Sequence, residues 1–177
     1  YSHLGYNLKP LDTQAAIGRK QLKKLPAFIE ARKQNWQRLR EGLAGLEEFF
    51  DFSLPTHATG WSREGYAWDS SGCHVDCSWF GFMLRVRTGA PFTHSQLGKH
   101  LDEKKIGNRM LFGGNLLRQP IFVQLKKDRP QSFRIATEHP GADSLMNSAL
   151  FLGTYPGLTN AMIDYEIEVI RSFTTKK

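Results

Sequence analysis

Gly5-Tyr6-Asn7-Leu8-Lys9-Pro10 runs into Leu11-Asp12-Thr13-Gln14-Ala15-Ala16-Ile17-Gly18-Arg19-Lys20-Gln21-Leu22. The stretch reads as a glycine-led loop, a cap and the opening of a long helix. Asp12 or Thr13 is the expected N-cap of a helix through Lys24, because a short side-chain oxygen can take a backbone N–H that the first turn leaves unbonded. Pro26 then suits the first turn of a second helix, or a kink between the two. Beyond it Ile29, Arg32, Trp36, Leu39, Leu43 and Leu46 recur at spacings of three and four, with Phe28 at the head of the stripe. That is an amphipathic helix face, expected to stop near Gly45. The chain opens on Tyr1 and not on Met, which raises the expectation that further sequence precedes it.

Downstream, Phe49 to Leu54 reads as a first strand. Residues 56–78, rich in Gly, Ser and Thr, read as a long loop or insertion. Trp79 to Val86 is nearly continuous in apolar residues and is expected to be a strand buried on both faces. Thr93-His94-Ser95-Gln96 has the spacing of a capping box opening a helix through Leu97, Leu101 and Lys104. Ile106 to Phe112 is a third strand or extended segment, followed by the Gly113-Gly114-Asn115 turn and an irregular region from Arg118. Ala142 to Ser148 reads as a short helix and Ala149 to Tyr155 as a strand. Thr159 caps a last helix with Met162, Ile163, Ile167 and Ile170 facing inward. The class is α+β: a small, mainly antiparallel sheet covered by helices, with one long helix leading in. The division expected is residues 1–47 as loop and connecting helices, and 48–177 as an α+β domain in which 56–77 form a loop or insertion.

At 177 residues, 40% hydrophobic, with four Trp and twelve Phe, the chain can bury a core without staples. Its apolar runs are too short for a membrane span, and no secretory leader is visible. Two cysteines, Cys73 and Cys77, do not make a disulfide framework, and the expected compartment is the cytoplasm. The net charge is +7, much of it between Arg19 and Arg40. A basic helix can be a nucleic-acid footprint, but no helix-turn-helix, zinc-finger or RNA-binding signature accompanies it. A solvated helix face is the reading preferred, with no nucleic-acid partner.

Cys73-His74-Val75-Asp76-Cys77 resembles metal-ligand spacing. A structural zinc site needs four Cys or His ligands and an iron–sulfur cluster four thiolates, and no second pair is present, so no metal site is expected. The six histidines show no HExxH pattern, and no nucleophile elbow or Walker or Rossmann phosphate loop occurs. His100 is expected to be a solvated helix residue. No complete catalytic set is present. Three positions suit ligand binding. Asn7, just before a helix N-terminus, could donate to a phosphate oxygen or bond its own turn. Arg109 and Arg118 bracket the Gly113-Gly114-Asn115 turn, where they could grip a diphosphate or a hydroxyl-rich sugar, or be ordinary surface charges.

Gly5-Tyr6-Asn7-Leu8-Lys9, Asp12-Thr13-Gln14-Ala15-Ala16 and Gln21-Leu22 resemble the pattern of the DegT/DnrJ/EryC1/StrS sugar aminotransferases. Three later segments are similar to one branch: Ser78 to Phe82, Lys105 to Pro120, and Tyr155 to Thr159. That branch is the CDP-4-dehydro-6-deoxyglucose 3-dehydrases of lipopolysaccharide O-antigen synthesis. The likeness covers nearly the whole chain outside residues 56–77, and ahead of the Met146-Asn147 pair the chain has Ser144 where branch members tend to carry a basic residue.

The resemblance implies the C-terminal small domain of a fold-type I enzyme dependent on pyridoxal or pyridoxamine phosphate, working as a homodimer. It implies that Asn7 reaches the cofactor phosphate of the partner subunit; Arg109, Asn115 and Arg118 are the substrate-binding candidates that the residues themselves suggest. It also implies a lyase whose catalytic residue (His in place of the usual Lys) and whose [2Fe-2S] ligands lie upstream, so that no catalytic residue falls within this chain. The implied reaction joins the 4-keto group of a nucleotide sugar to the cofactor amine and expels the C3 hydroxyl, the conjugated ring acting as electron sink. An NADH-dependent flavin and iron–sulfur reductase then supplies electrons to give a 3,6-dideoxyhexose. The rival readings are a nucleotide-sugar aminotransferase of the same superfamily and a non-enzymatic basic interaction domain.

Overall fold

The computed structural model describes residues 5–6 and 8–175. One helix, α1 (Asp12–Gly42), runs unbroken through Pro26. Its N-cap is Leu11, one residue earlier than expected, and the Leu11 N–H donates to Gln14 Oε1 at 2.9 Å. A proline inside a helix leaves one carbonyl without its donor. Here every residue from Asp12 to Phe28 is exposed, so water can take that carbonyl and the helix need not divide. From Ile29 the stripe seen in sequence turns inward, and Trp36, Leu39 and Leu43 are buried.

The sheet is wholly antiparallel, in the order β1 (Phe50–Phe52), β4 (Gly81–Val86), β6 (Ala149–Gly153), β5 (Asn108–Met110). The strand expected to be buried on both faces alternates instead: Phe82, Leu84 and Val86 are buried, while Gly81, Met83 and Arg85 are half-buried. On that second face the Arg85 side chain stays 43% exposed, 3.7 Å from Asp51, so the face carries a solvated charge and is not closed by an apolar layer. Helix α2 (His94–Glu103) begins at the expected capping box, Thr93 Oγ1 accepting from the Gln96 N–H at 3.2 Å and Gln96 Oε1 from the Thr93 N–H at 2.8 Å. Along α5 (Asn160–Thr175), Ile163 and Ile170 are fully buried and Ile167 packs against the core, but Met162 is 53% exposed. Glu166 takes a place on the inward face instead, one carboxylate oxygen without a partner among the described residues. Burial pushes its acid up to about 7. His100, expected in solvent, lies against the Phe173 ring at 4.9 Å.

Two elements depart from the sequence reading. Residues 58–68 form a hairpin, β2 (Ala58–Ser62) and β3 (Gly65–Trp68), within the stretch expected to be a loop or insertion. The irregular region after Arg118 contains helix α3 (Pro120–Asp128), with proline in its first turn. Asn35 ties α1 to the end of β6, its amide donating to the Tyr155 carbonyl at 2.9 Å and the Thr154 carbonyl at 3.4 Å. Among the described residues no helix is long and apolar enough to cross a membrane.

Candidate functional site

Edge strand β5 leads into the turn that carries most of the polar residues singled out in sequence. Gly114 sits in the left-handed region at φ +60, and a Cβ there would come within 2.4 Å of Met146 Cγ, so both conformation and space demand glycine. Gln119 clamps the turn by donating from Nε2 to the Gly113 carbonyl at 2.7 Å. A short 3-10 turn, Leu116–Arg118, follows, and Asn115 caps it by accepting the Leu117 N–H at 3.0 Å.

The two arginines part company here. Arg118 forms a two-pronged pair with Asp143 on α4 (Pro140–Ser148), at 3.1 Å from Nε and 2.9 Å from Nη2. Asn115, only 2% exposed, donates to the same carboxylate at 2.9 Å. Hydrogen bonds from Arg118 and then Asn115 hold the Asp143 acid below the usual carboxylate range, and the same contact raises Arg118. Arg118, through Nε and Nη2, and Asn115, through its amide, are therefore engaged by the protein and fix the turn against α4. Asp143 was not singled out in sequence, because an acid 25 residues beyond its arginine carries no local signal.

Arg109, on the exposed edge of β5, has no ion pair or side-chain hydrogen bond among the described residues. It borders an open depression of about 610 Å³ shared with Phe80, Met110, Phe112 and Phe151. Phe80 is 67% and Phe112 74% exposed, and their rings stack at 6.2 Å. Phe112 holds φ +49, a left-handed conformation unusual for a bulky residue, which turns its ring outward over the edge of the sheet. An unpaired guanidinium beside exposed aromatic faces can hold an anion and a flat ring together. The sequence showed Phe80 and Phe112 as apolar residues; only the backbone geometry reveals that they are outside.

Asn7, assigned by resemblance to a cofactor phosphate, lies outside the described residues. Pyridoxal phosphate needs an enclosed ring of phosphate donors and a partner for its pyridine ring. The depression beside Arg109 offers an unpaired cation on an open edge with no enclosure, and does not hold that cofactor by itself. Nor do the described residues gather three or more His, Cys, Asp or Glu side chains in one place, and Cys73 and Cys77 are both free thiols.

The sequence signature of the DegT/DnrJ/EryC1/StrS aminotransferase family matches residues 1–171. The dTDP-4-dehydro-2,6-dideoxy-D-glucose 3-dehydratase of Saccharopolyspora spinosa is 40% identical over 99% of this chain and 33% of its own length. The lipopolysaccharide biosynthesis protein RfbH of Salmonella typhimurium is 38% identical over 98% of this chain and 35% of its own. Among solved structures, the GDP-4-keto-6-deoxy-D-mannose-3-dehydratase of E. coli with bound hydrated PLP superposes with a TM-score of 0.70, at 27% identity, over 93% of this chain and 36% of that one. This chain thus spans about a third of the length of the curated relatives it matches. Mixed helix and small antiparallel sheet behind a long leading helix is the architecture it shares with these PLP-dependent neighbours, and the chain belongs to the DegT/DnrJ/EryC1/StrS aminotransferase family.

Proposed function

We propose that this chain is the C-terminal, substrate-positioning part of a nucleotide-sugar 3-dehydratase that works with pyridoxal or pyridoxamine phosphate. The observation that carries the reading is Arg109, an unpaired guanidinium on an exposed strand edge among the aromatic rings of Phe80, Phe112 and Phe151. A nucleotide sugar presents a diphosphate for the first and flat or apolar ring faces for the second. The relatives' names support a dehydratase over an aminotransferase, and the relation to RfbH supports a place in lipopolysaccharide sugar synthesis.

In this reading the chain binds and orients, and the residues that move protons lie elsewhere in the polypeptide. Arg109 neutralises the diphosphate. Asn115 and Arg118 act through Asp143, keeping the turn beside Arg109 in one shape. Asn7 serves the cofactor phosphate of a partner subunit in a homodimer. Residues 1–47 connect to a larger domain that holds the catalytic His, and residues 48–177 form the small domain. The nucleotide is CDP, the [2Fe-2S] ligands lie upstream, an NADH-dependent flavin and iron–sulfur reductase supplies electrons, and the enzyme works in the cytoplasm.

The test is steady-state kinetics of the complete polypeptide with cofactor and reductase supplied. Arg109→Ala should raise KM for the nucleotide sugar about tenfold or more with the thermal midpoint unchanged, because a charge-assisted contact is lost and no core is disturbed. Wild-type KM and turnover in Arg109→Ala would overturn the assignment.

A further inference from the structure

The hairpin β2–β3 and the loop at 69–79 lie over the second half of α1 and enclose a cleft of about 500 Å³. All four tryptophans of the chain line it, Trp36, Trp61, Trp68 and Trp79, together with Tyr66 and His74. Trp36 forms the floor. It is 4% exposed, stacks on Trp79 with centroids 4.8 Å apart and 11° between planes, and meets Trp61 edge-on at 5.9 Å. Trp68 and His74 stack at the rim, 5.1 Å apart. The hairpin is fastened from below by the Arg40 guanidinium, which lies over the Trp61 ring at 5.2 Å and the Phe52 ring at 4.2 Å. The loop is fastened by the ion pair between Lys33 on α1 and Asp76. The walls are therefore held by the protein itself, and a ligand would not have to organise them.

The polar lining is mixed. Lys33 and Arg63 are matched in charge by Asp76 and Glu64, and Gln37 adds an amide. Gln37 Nε2 donates to Glu41 at 3.1 Å, which leaves its carbonyl as an acceptor. Arg63 is 79% exposed and stands 3.7 Å from Glu41, so its fork is largely unused. A phosphate entering this cleft would meet as many carboxylates as cations. A neutral molecule with an apolar face and hydroxyls that both donate and accept would meet a partner for each. The volume falls within the range of small-molecule sites.

We propose that this cleft binds a saccharide, a pyranose ring lying on the indoles with its hydroxyls on the mixed rim. The site does not depend on Arg109 or on the dehydratase reading. A hexose of a nucleotide sugar and a sugar unit of a glycan share this chemistry.

Because all four tryptophans of this 177-residue chain line the cleft, its intrinsic fluorescence reports on the site, and calorimetry reads the same binding in the complete polypeptide. The titrants are a methyl hexopyranoside, a short oligosaccharide, a nucleotide sugar and the matching nucleoside diphosphate, with calorimetry to check the absorbing nucleotides. Saturable quenching by the hexopyranoside at up to about 10 mM, and none by the nucleoside diphosphate, is the expected result. Tighter binding of the oligosaccharide points to a glycan as the natural source, tighter binding of the nucleotide sugar to an activated hexose; either supports the site. Trp68→Ala, at the rim and outside the main core, should weaken saccharide binding about tenfold with the far-ultraviolet spectrum preserved. Gln37→Ala removes a polar partner from α1 without touching the hairpin, and should weaken it as well. No saturable response to any saccharide, equal binding of the nucleoside diphosphate, or wild-type affinity in both variants would overturn the proposal.

Discussion

The two halves of α1 look alike in sequence and meet different surroundings. Ile17, Leu22, Leu25 and Phe28 give the first half apolar side chains as well, yet Ile17 is 63% and Leu22 65% exposed. In the second half Trp36 is 4% exposed and Leu39 fully buried against the sheet and α5. Periodicity reports which face of a helix wants a partner; it does not report where along the axis the partner ends. At about 1.5 Å per residue the helix is far longer than the layer it packs on, and the first half projects past it. The Arg109 and Arg118 pair repeats the lesson in charge: the same residue type flanks one turn, engaged on one side and open on the other.

The contrast breaks most visibly at Leu39. Leu39→Ala should destabilise the chain by about 2–5 kcal/mol in urea unfolding, since a fully buried side chain leaves a cavity. A loss like that of an exposed position would mean that the second half is not the anchored one.

Next is Glu166 on α5, the helix against which that half packs. Its acid is raised from 4.5 to about 7 by burial, so the folded chain holds a proton that the unfolded chain releases. Stability should be full below about 4.5 and fall as pH rises to about 7. A shift of this size, softened by the solvent that reaches the residue, is worth on the order of 1–3 kcal/mol. Thermal midpoints of the chain and of Glu166→Gln across that window provide the check. The variant should be flatter, and an equal slope in both would remove Glu166 as the cause.

Arg118→Ala should cost little stability, because its pair with Asp143 is exposed to water and salt. Its effect should shrink in concentrated NaCl, and a loss insensitive to salt would point to packing instead. Smallest of all, Leu22→Ala in the projecting half should change the melting free energy of this chain by no more than about 0.5 kcal/mol. A loss near that of Leu39→Ala would show that the first half is held as firmly as the second.

The legible parts of the fold are those with local causes. The Thr93–Gln96 capping box, the Thr159 cap (Oγ1 accepting the Met162 N–H at 3.3 Å) and the alternation of strands and helices all rest on contacts a few residues apart. Helix α3 was missed because Gln119-Pro120 reads as a break, although proline is tolerated in a first turn where no N–H is needed. The hairpin at 58–68 was missed because its Trp61 and Tyr66 find their partner in Trp36, far back on α1. At the site, the arginines and the glycine turn were visible, but not which arginine was already taken, since Asp143 comes from a different helix.

Sequence by itself determined the family, the α+β class and the Thr93 and Thr159 caps, because each follows from short runs of neighbouring residues. Tertiary structure alone decided that Arg109 stands open while Arg118 is held, that Glu166 is buried, and that four tryptophans spread over residues 36–79 line one cleft. The reason is physical: the charge state, exposure and pairing of a side chain depend on what other elements bring beside it, and that distance is set by packing and not by spacing in the sequence.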